Sequence, residues 1–195
     1  MIKSFDFYFD FASPYAFLAH REVRKIEKEN LIKINYMPVL LGGLLKSAGI
    51  KANFEIPIKA KYMIEDCKMW AEKYHIDFKF NSSFPIISLN LMRCVLLAKK
   101  KKFEDDFIDK IFDAIWKNDL NLNDNLIIEK LLQKMNINYK KFLFDASDQK
   151  IKDDLRRRTH DAYEKGIFGT PSFIVNNKIF WGQDRLEFVI NEAKK

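Results

Sequence analysis

The chain has 195 residues, of which 48% are hydrophobic and 31% are charged, and its formal net charge at pH 7 is +7. This length and composition allow a full-sized core, so we expect a globular protein. No apolar run approaches the roughly 20 residues that span a bilayer, and the first residues lack the charged-then-apolar pattern of a secretory signal. These features argue against a membrane protein and predict a cytoplasmic one.

Lysines spread along the chain supply most of the positive charge. Only residues 99–102 and 156–158 form basic runs, and both runs resemble solvated helix ends, where cations are favoured by the helix dipole. We therefore expect no nucleic-acid binding. The same positive field would favour a small anionic substrate.

The first forty residues predict a strand, a helix and a second strand. Residues 3–11 are aromatic and suit a central strand, residues 14–29 carry apolar residues near helical spacing, and residues 32–39 predict the second strand. A strand–helix–strand unit of an α/β sheet is expected to have parallel strands.

The middle of the chain, residues 40 to about 165, is almost entirely helical in pattern, with loops expected at 53–57, 81–85 and 118–125. Cys67 and Cys94 fall in this part without CxxC or metal-ligand spacing, so we expect two buried thiols without chemistry and no metal site. Tyr62, Trp70 and Trp116 lie on helical stripes and are predicted to be core residues.

The last part returns to strands. Residues 172–175 and 178–181 predict a β-hairpin around Asn176-Asn177, because asparagine tolerates the positive φ of such turns, and a last helix is expected over 185–195. The whole outline is that of an α/β, thioredoxin-like fold with a large inserted helical domain. We predict a thioredoxin-like domain from residues 1–40 and 160–195, and an inserted helical domain from 41–159.

Ser13-Pro14 stands where the first strand gives way to the first helix. Serine is a strong N-cap and proline is favoured at the first helical position, so the pair could simply start the helix. Ligands, however, bind at such strand ends in open α/β sheets, where free backbone N–H groups and the helix dipole favour an anion. A hydroxyl there can donate to a thiolate. Because no cysteine occupies this turn, disulfide chemistry is excluded here.

Four stretches of the chain carry a family resemblance: DFYFDFASPYAFLA (6–19), PVLLGGLLK (38–46), IPIKAKY (56–62) and GIFGTPSFIVNNKIFWGQDRL (166–186). They resemble the corresponding stretches of the 2-hydroxychromene-2-carboxylate isomerase family. That family is related to kappa-class glutathione transferases and has a DsbA-type thioredoxin fold. The resemblance covers nearly the whole chain, in order.

The resemblance implies glutathione as the cofactor and assigns a role to particular residues. Ser13 would be the catalytic residue that hydrogen-bonds the glutathione sulfur, and Thr170-Pro171 would form a cis-proline loop that binds its cysteinyl part as an added strand does. The remaining positions that the family assigns to glutathione are Lys59, Trp181, Gly182, Gln183, Asp184 and Arg185. Those near the second substrate are Lys46, Asn53 and Phe84.

Simpler roles stay open for several of these residues. Asp184 could cap the last helix, and Lys46 and Lys59 could be ordinary solvated side chains. Relatives often carry a polar residue where this chain has Ile87, which predicts a more apolar pocket for the second substrate. The resemblance also makes a homodimer possible.

The leading hypothesis is a glutathione-dependent isomerase of 2-hydroxychromene-2-carboxylate or a related aromatic ring-cleavage intermediate, with a small aromatic carboxylate as substrate. The alternative is a kappa-type glutathione S-transferase or peroxidase that acts on another electrophile. A third hypothesis is a non-catalytic thioredoxin-like module that binds an extended peptide near Thr170-Pro171.

Overall fold

The computed structural model describes residues 3–29 and 32–195. The strands are β1 (Ser4–Phe9), β2 (Lys33–Pro38), β3 (Ser172–Val175) and β4 (Lys178–Trp181). The helices are α1 (Pro14–Lys28), α2 (Leu41–Ala48), α3 (Pro57–Tyr74), α4 (Leu89–Lys100), α5 (Glu104–Trp116), α6 (Asn125–Lys134), α7 (Tyr139–Ala146), α8 (Gln149–Glu164) and α9 (Leu186–Ala193). Two 3-10 turns cover Asn53–Glu55 and Gln183–Arg185.

The four strands form one sheet in the order β2-β1-β3-β4. β1 runs parallel to β2, as the strand–helix–strand pattern predicts, whereas β3 is antiparallel to both β1 and β4. Asn176 and Asn177 have φ of 48° and 60°, so the predicted hairpin turn is confirmed. This arrangement places the end of β1 beside the start of β3.

Helices cover both faces of the sheet, and β1 has buried side chains on each face. Phe5, Phe7 and Phe9 pack in the larger core with α1, α5 and α9, whereas Tyr8 faces a smaller cluster that includes Leu44 of α2. Period-two alternation of this kind is what a strand between two helical layers requires. The α/β thioredoxin-like fold with its helical insertion is therefore confirmed.

The helical part differs from the sequence prediction in one segment. α3 ends where His75 takes a left-handed φ of 54°, and residues 75–88 form an irregular connection rather than a short loop at 81–85. The side chain of Asn81 holds this connection, because its amide donates to the carbonyls of Ile115 and Leu120 at 2.9 and 3.0 Å.

The predicted division into 1–40 with 160–195 and 41–159 stays a prediction. Residues 1, 2, 30 and 31 of its first segment lie outside the described residues, and α8 continues unbroken through residue 160. In the part of the chain that the structure describes, no helix has both the length and the apolar character needed to cross a membrane.

Candidate active site

Ser13 starts α1 immediately after the end of β1. Its backbone is extended, with φ −95° and ψ 114°, and its Oγ accepts a hydrogen bond from the Ala16 N–H at 3.1 Å. Pro14 occupies the first helical position, where its missing N–H sacrifices no helical hydrogen bond. The helix-starting role of the Ser13-Pro14 pair is thus confirmed.

The Ser13 hydroxyl has a second contact that capping alone does not explain. It donates a hydrogen bond of 3.0 Å to the carbonyl oxygen of Thr170, a residue 157 positions away in the chain. Ser13 is only 3% exposed, and the first turn of α1, which is described in full, contains no acidic residue. No acidic side chain of α1 itself therefore offsets the positive end of the helix dipole at this hydroxyl.

Thr170 belongs to the loop that enters β3. The Thr170–Pro171 peptide bond is cis, which matches the cis-proline loop that the resemblance implies. The Thr170 Oγ1 is buried and has no hydrogen-bond partner among residues 3–29 and 32–195. Buried hydroxyls without a partner are uncommon.

The segment from Trp181 to Arg185 forms a wall of the same cavity. Two glycines leave room for its side chains: Gly169 for Trp181 and Gly182 for Asp184. A Cβ on Gly169 would lie 2.9 Å from the Trp181 Nε1, and a Cβ on Gly182 would lie 2.5 Å from the Asp184 Oδ1. Gly182 also has φ of 112°, which side chains disfavour. The indole of Trp181 packs against Phe168 at a centroid distance of 4.9 Å.

Asp184 does not cap the last helix. α9 begins after Arg185 and has no side-chain capping bond, whereas the Asp184 carboxylate pairs with the Arg185 guanidinium at 3.2 Å. The capping interpretation of Asp184 is therefore wrong, because the 3-10 turn Gln183–Arg185 separates this carboxylate from the start of the helix. Asp184 is left beside the cavity.

α3 turns one face toward the same space. Lys59, Asp66 and Trp70 recur at helical spacing and all line the cavity, and the Tyr15 hydroxyl of α1 donates to the Asp66 carboxylate at 2.8 Å. Burial, aided by that carboxylate, raises the pKa of Tyr15, so the phenol stays a proton donor. Sequence motifs missed Tyr15, Asp66 and Trp70, although the period of α3 could have identified the last two.

Of the three aromatic residues predicted to be core, Trp116 is in the core and Trp70 packs against it, but Tyr62 does not. Trp116 is fully buried, whereas Trp70 is only partly buried and Tyr62 is 63% exposed. The core prediction is therefore wrong for Tyr62, because the buried face of α3 is formed by Met63, Cys67 and Ala71, whereas Tyr62 lies on the face that lines the cavity.

The opposite wall comes from α2, the turn Asn53–Glu55 and the loop before α4. Lys46, Asn53 and Phe84 all line it, and the ring of Phe54 meets that of Phe84 edge-on at 5.4 Å. The three predicted second-substrate residues therefore all line the cavity that Trp181 also lines.

Asp10 is a further site residue that the motifs did not single out. It is 1% exposed, and its carboxylate accepts hydrogen bonds from the Ala12 N–H at 3.0 Å and the Leu41 N–H at 2.7 Å. Burial raises the pKa of Asp10, although the Ala12 N–H, the Ser88 side chain and the Leu41 N–H oppose this rise. Asp10 thereby fixes the start of α2 to the end of β1, next to Ser13.

One cavity of about 1120 Å³ collects these groups. Its lining contains every site residue that the sequence predicts: Ser13, Lys46, Asn53, Lys59, Phe84, Thr170, Pro171, Trp181, Gly182, Gln183, Asp184 and Arg185. Ligand pockets for drug-sized molecules measure about 300–1,000 Å³. The cavity is therefore large enough for two small molecules side by side.

A second cavity, of about 280 Å³, lies between α1 and the connection after α3. It is rich in cations, but Arg21 pairs with Asp113 at 3.3 Å and Lys117 pairs with Asp77 at 2.9 Å. Because these charges are already compensated, the larger cavity is the better candidate for ligand binding.

The two cysteines are buried, as predicted. Cys67 and Cys94 are both buried and free. Burial raises the pKa of Cys94 to about 12 and also raises that of Cys67, so neither is a thiolate at neutral pH.

The sheet order, the buried serine at the start of α1 and the cis-proline loop opposite it define a thioredoxin-like protein with a helical insertion. A family model described as a DSBA-like thioredoxin domain matches residues 4–193, and the chain belongs to this family.

Individual relatives agree with the resemblance that the motifs show. The chain is 28% identical to a 2-hydroxychromene-2-carboxylate isomerase of Sphingobium xenophagum over 97% of each chain. It is 23% identical to glutathione S-transferase kappa 1 of Rattus norvegicus, over 94% of this chain and 88% of the relative. A solved structure of a 2-hydroxychromene-2-carboxylate isomerase superposes with a TM-score of 0.87 at 23% identity, covering 96% of this chain and 93% of that one, which supports the fold.

Proposed function

We propose that the chain is a glutathione-dependent isomerase that acts on 2-hydroxychromene-2-carboxylate or a related aromatic ring-cleavage intermediate. The observation that carries this proposal is the Ser13 hydroxyl, buried at the start of α1 and 3.0 Å from the carbonyl of Thr170, in a turn that contains no cysteine. The relatives named as isomerases span almost the whole chain and support the same activity.

The residues around Ser13 suit a tripeptide thiol. The backbone N–H and carbonyl of Thr170, next to the Ser13 hydroxyl, would bind the cysteinyl part as the edge of a sheet binds an added strand. The Asp184 carboxylate would pair with the γ-glutamyl ammonium, and the Lys59 ammonium is placed for a carboxylate of the peptide. The polar groups thus match the charges of glutathione.

Ser13 would act on the protonation of the bound thiol. A free thiol has a pKa of about 8.5 and is only a few per cent ionised at pH 7, so each unit of lowering, about 1.4 kcal/mol, gives roughly tenfold more thiolate. The Ser13 hydroxyl can supply this stabilisation by turning from the Thr170 carbonyl toward the sulfur. The positive end of α1 adds to the effect.

When bound, glutathione supplies a sulfur that adds to the electrophilic carbon of a conjugated carbonyl compound, permits bond rotation or ring opening, and leaves again without net oxidation or reduction. The chain holds the two partners in one cavity and presents Lys46 to an anionic substrate. Glutathione is regenerated in isomerisation and consumed in transfer.

A kappa-type transferase is the second candidate. The relative of this class from Rattus norvegicus matches 94% of the chain, and Ile87, 73% exposed, makes the second-substrate wall apolar. A peptide-binding module explains less, because a peptide groove requires neither the buried Ser13 hydroxyl nor the Asp184–Arg185 pair.

Glutathione binding is tested by thermal unfolding. At a glutathione concentration of about 100 times Kd, binding only the folded state adds about 2.7 kcal/mol, so the melting temperature should rise by roughly 5 °C or more. No rise at millimolar glutathione would favour the binding module. Loss of the hydroxychromene carboxylate spectrum without glutathione consumption reports isomerisation, whereas consumption with an aryl halide reports transfer.

Ser13→Ala tests the role of the hydroxyl. We expect turnover to fall by about a hundredfold or more, with a smaller loss of glutathione affinity, and the thiol pKa of bound glutathione, followed by ultraviolet absorbance, to rise. Loss of the cap should also cost about 1 kcal/mol of stability.

The matched control for Ser13→Ala is Asn138→Ala, which removes the cap that accepts from the Lys141 N–H at 2.9 Å at the start of α7, outside the cavity. It should cost similar stability without changing turnover. Equal losses of affinity and turnover in Ser13→Ala would mean that the serine is only a binding contact.

A further inference from the structure

The cavity has two chemically different halves. Around Ser13 and Thr170 it offers hydroxyls and backbone carbonyls, whereas between α2 and the loop before α4 its lining includes the apolar side chains of Ile50, Phe54 and Ile87. These three side chains are 44%, 43% and 73% exposed. Exposed apolar side chains gathered at one cavity mouth mark a ligand groove more often than an unused surface.

This apolar wall is held in place. The Asn123 side chain accepts a hydrogen bond from the Ile87 N–H at 2.8 Å and donates to the carbonyls of Ser83 and Pro85, both at 3.1 Å. The ring of Phe84 packs against that of Trp116, at a centroid distance of 6.0 Å. Because the loop is fixed, Ile87 presents a preformed apolar surface to a ligand.

Cations border the same half of the cavity. Lys46 and Lys51 both line it, and neither forms an ion pair with any residue that the structure describes. Two carboxylates also line this part of the cavity: Asp10 accepts from the Ala12 and Leu41 N–H groups, and Glu55 accepts from the Ala52 N–H at 3.0 Å. The charge of the two lysines is therefore available to an anionic ligand.

We propose that the second substrate is an amphipathic anion, a conjugated carbonyl compound with a carboxylate that faces Lys46 and Lys51 and with an extended apolar body that lies on Ile50, Phe54 and Ile87. The inference rests on the proposed function for the reactive step and deepens it, because it selects, among aromatic carboxylates, those that carry a bulky apolar substituent. The apolar body is stabilised by leaving water, so each added methylene should strengthen binding.

The test measures binding to the full chain by calorimetry, with and without saturating glutathione, using saturated probes that contain no conjugated double bond to react. The probes are 2-oxo-4-phenylbutanoate, its para-hexyl derivative and the methyl ester of that derivative. We expect the hexyl compound to bind at least tenfold more tightly than the parent, and the ester to lose most of that affinity. Equal affinities of parent and hexyl compound, or of acid and ester, would overturn the inference.

Variants locate the binding surface. Ile87→Asn should reduce the hexyl preference at least threefold. Leu126→Asn changes an equally apolar and comparably exposed residue of α6, 66% exposed and outside the cavity, and should leave the preference unchanged. A preference reduced equally by both variants, or by neither, would count against this surface.

The same probes separate this inference from the proposed function. If glutathione raises the melting temperature and the hydroxychromene carboxylate is isomerised, but the hexyl group brings no gain in affinity, only the amphipathic substrate is wrong. If the hexyl preference depends on Ile87 but glutathione does not bind, the apolar subsite stands and the glutathione-dependent reaction is wrong.

Discussion

Gly182 controls the position of Asp184 because no other residue suits its backbone. Its φ of 112° and ψ of 147° lie in a region that is essentially restricted to glycine, and an added Cβ would lie 2.5 Å from the Asp184 Oδ1. The carboxylate proposed for the glutathione ammonium thus depends on a residue without a side chain.

Gly182→Ala should lower the free energy of unfolding by about 1–3 kcal/mol, because the backbone must distort or Asp184 must move. For a chain of this length, each kcal/mol lowers the melting temperature by about 2–4 °C, which thermal unfolding can measure. Glutathione should also bind more weakly, since the Asp184 carboxylate is displaced.

Gly42→Ala is the control for that change. A Cβ at Gly42 meets nothing within 4 Å, and Gly42 lies in α2, where alanine is favoured over glycine by about 0.5–1 kcal/mol. The melting temperature should rise slightly. A Gly182→Ala protein as stable as the Gly42→Ala protein would contradict the backbone argument.

The residues that sequence reasoning identified lie in short contiguous motifs, although the Ser13–Thr170 hydrogen bond joins two such motifs that are far apart in the chain. Ser13, the Thr170-Pro171 pair and Asp184 sit in contiguous motifs, so their chemistry is visible in a few letters. Asp10 and Asp66 are different, because each acquires its partner only in three dimensions, from the Leu41 N–H and the Tyr15 hydroxyl.

At the scale of elements, α5 is the helix that ties the insertion to the sheet. The ring of Phe112 lies within centroid distances of 4.8 Å of Phe11, 5.8 Å of Phe9 and 6.0 Å of Phe17. The core is therefore continuous between β1, α1 and the helical part. Sequence periodicity predicted the helices but gave no register between them, since it does not specify which faces meet.

The contact between α1 and α5 also contains a buried histidine. His20 is 0% exposed, its Nε2 lies 2.7 Å from the Asp109 Oδ1, and its Nδ1 has no partner in the described part of the chain. Burial lowers the pKa of His20, helped by Arg24 and Arg21, although the Asp109 carboxylate opposes this. His20 is therefore neutral in the folded protein at neutral pH.

Stability should consequently fall as the pH drops below the ordinary histidine pKa of 6.5. Below that pH His20 binds a proton in the unfolded chain but not in the folded chain. The free energy of unfolding therefore falls by up to about 1.4 kcal/mol per pH unit. Burial raises the pKa of Asp109, but the hydrogen bonds from His20 and Arg24 outweigh it, so the pKa of Asp109 is lowered. The stability that Asp109 contributes is therefore lost only in more acidic solution, near and below pH 3.8.

The measurement is the free energy of unfolding in urea at pH 7.5 and 5.5, for the natural chain and for His20→Gln, whose amide can still donate to Asp109. The variant should show a weaker loss in acid. Burial raises the pKa of Asp10 and of Glu104, so acid stabilises the folded chain at these two carboxyls. Because both are present in the natural chain and in the variant, they do not affect the comparison. His160→Gln, at an exposed position of α8, should retain the pH dependence of the natural chain.

For the whole molecule, the net charge of +7 and the lysines at the cavity mouth create a field that attracts anions. This field extends over a screening length of about 30 Å at 0.01 M salt and about 3 Å at 1 M. An anionic substrate should therefore reach the cavity faster at low ionic strength.

We expect kcat/KM for an aromatic carboxylate, measured at saturating glutathione, to fall severalfold between about 0.01 M and 1 M NaCl. A neutral aryl halide should show no such fall, because it does not respond to the field. Lys46→Glu should reduce the low-salt value for the carboxylate far more than Lys140→Glu, which makes the same charge change on α7, outside the cavity. Equal effects of the two variants would show that the attraction comes from the overall charge and not from the lysines beside the site.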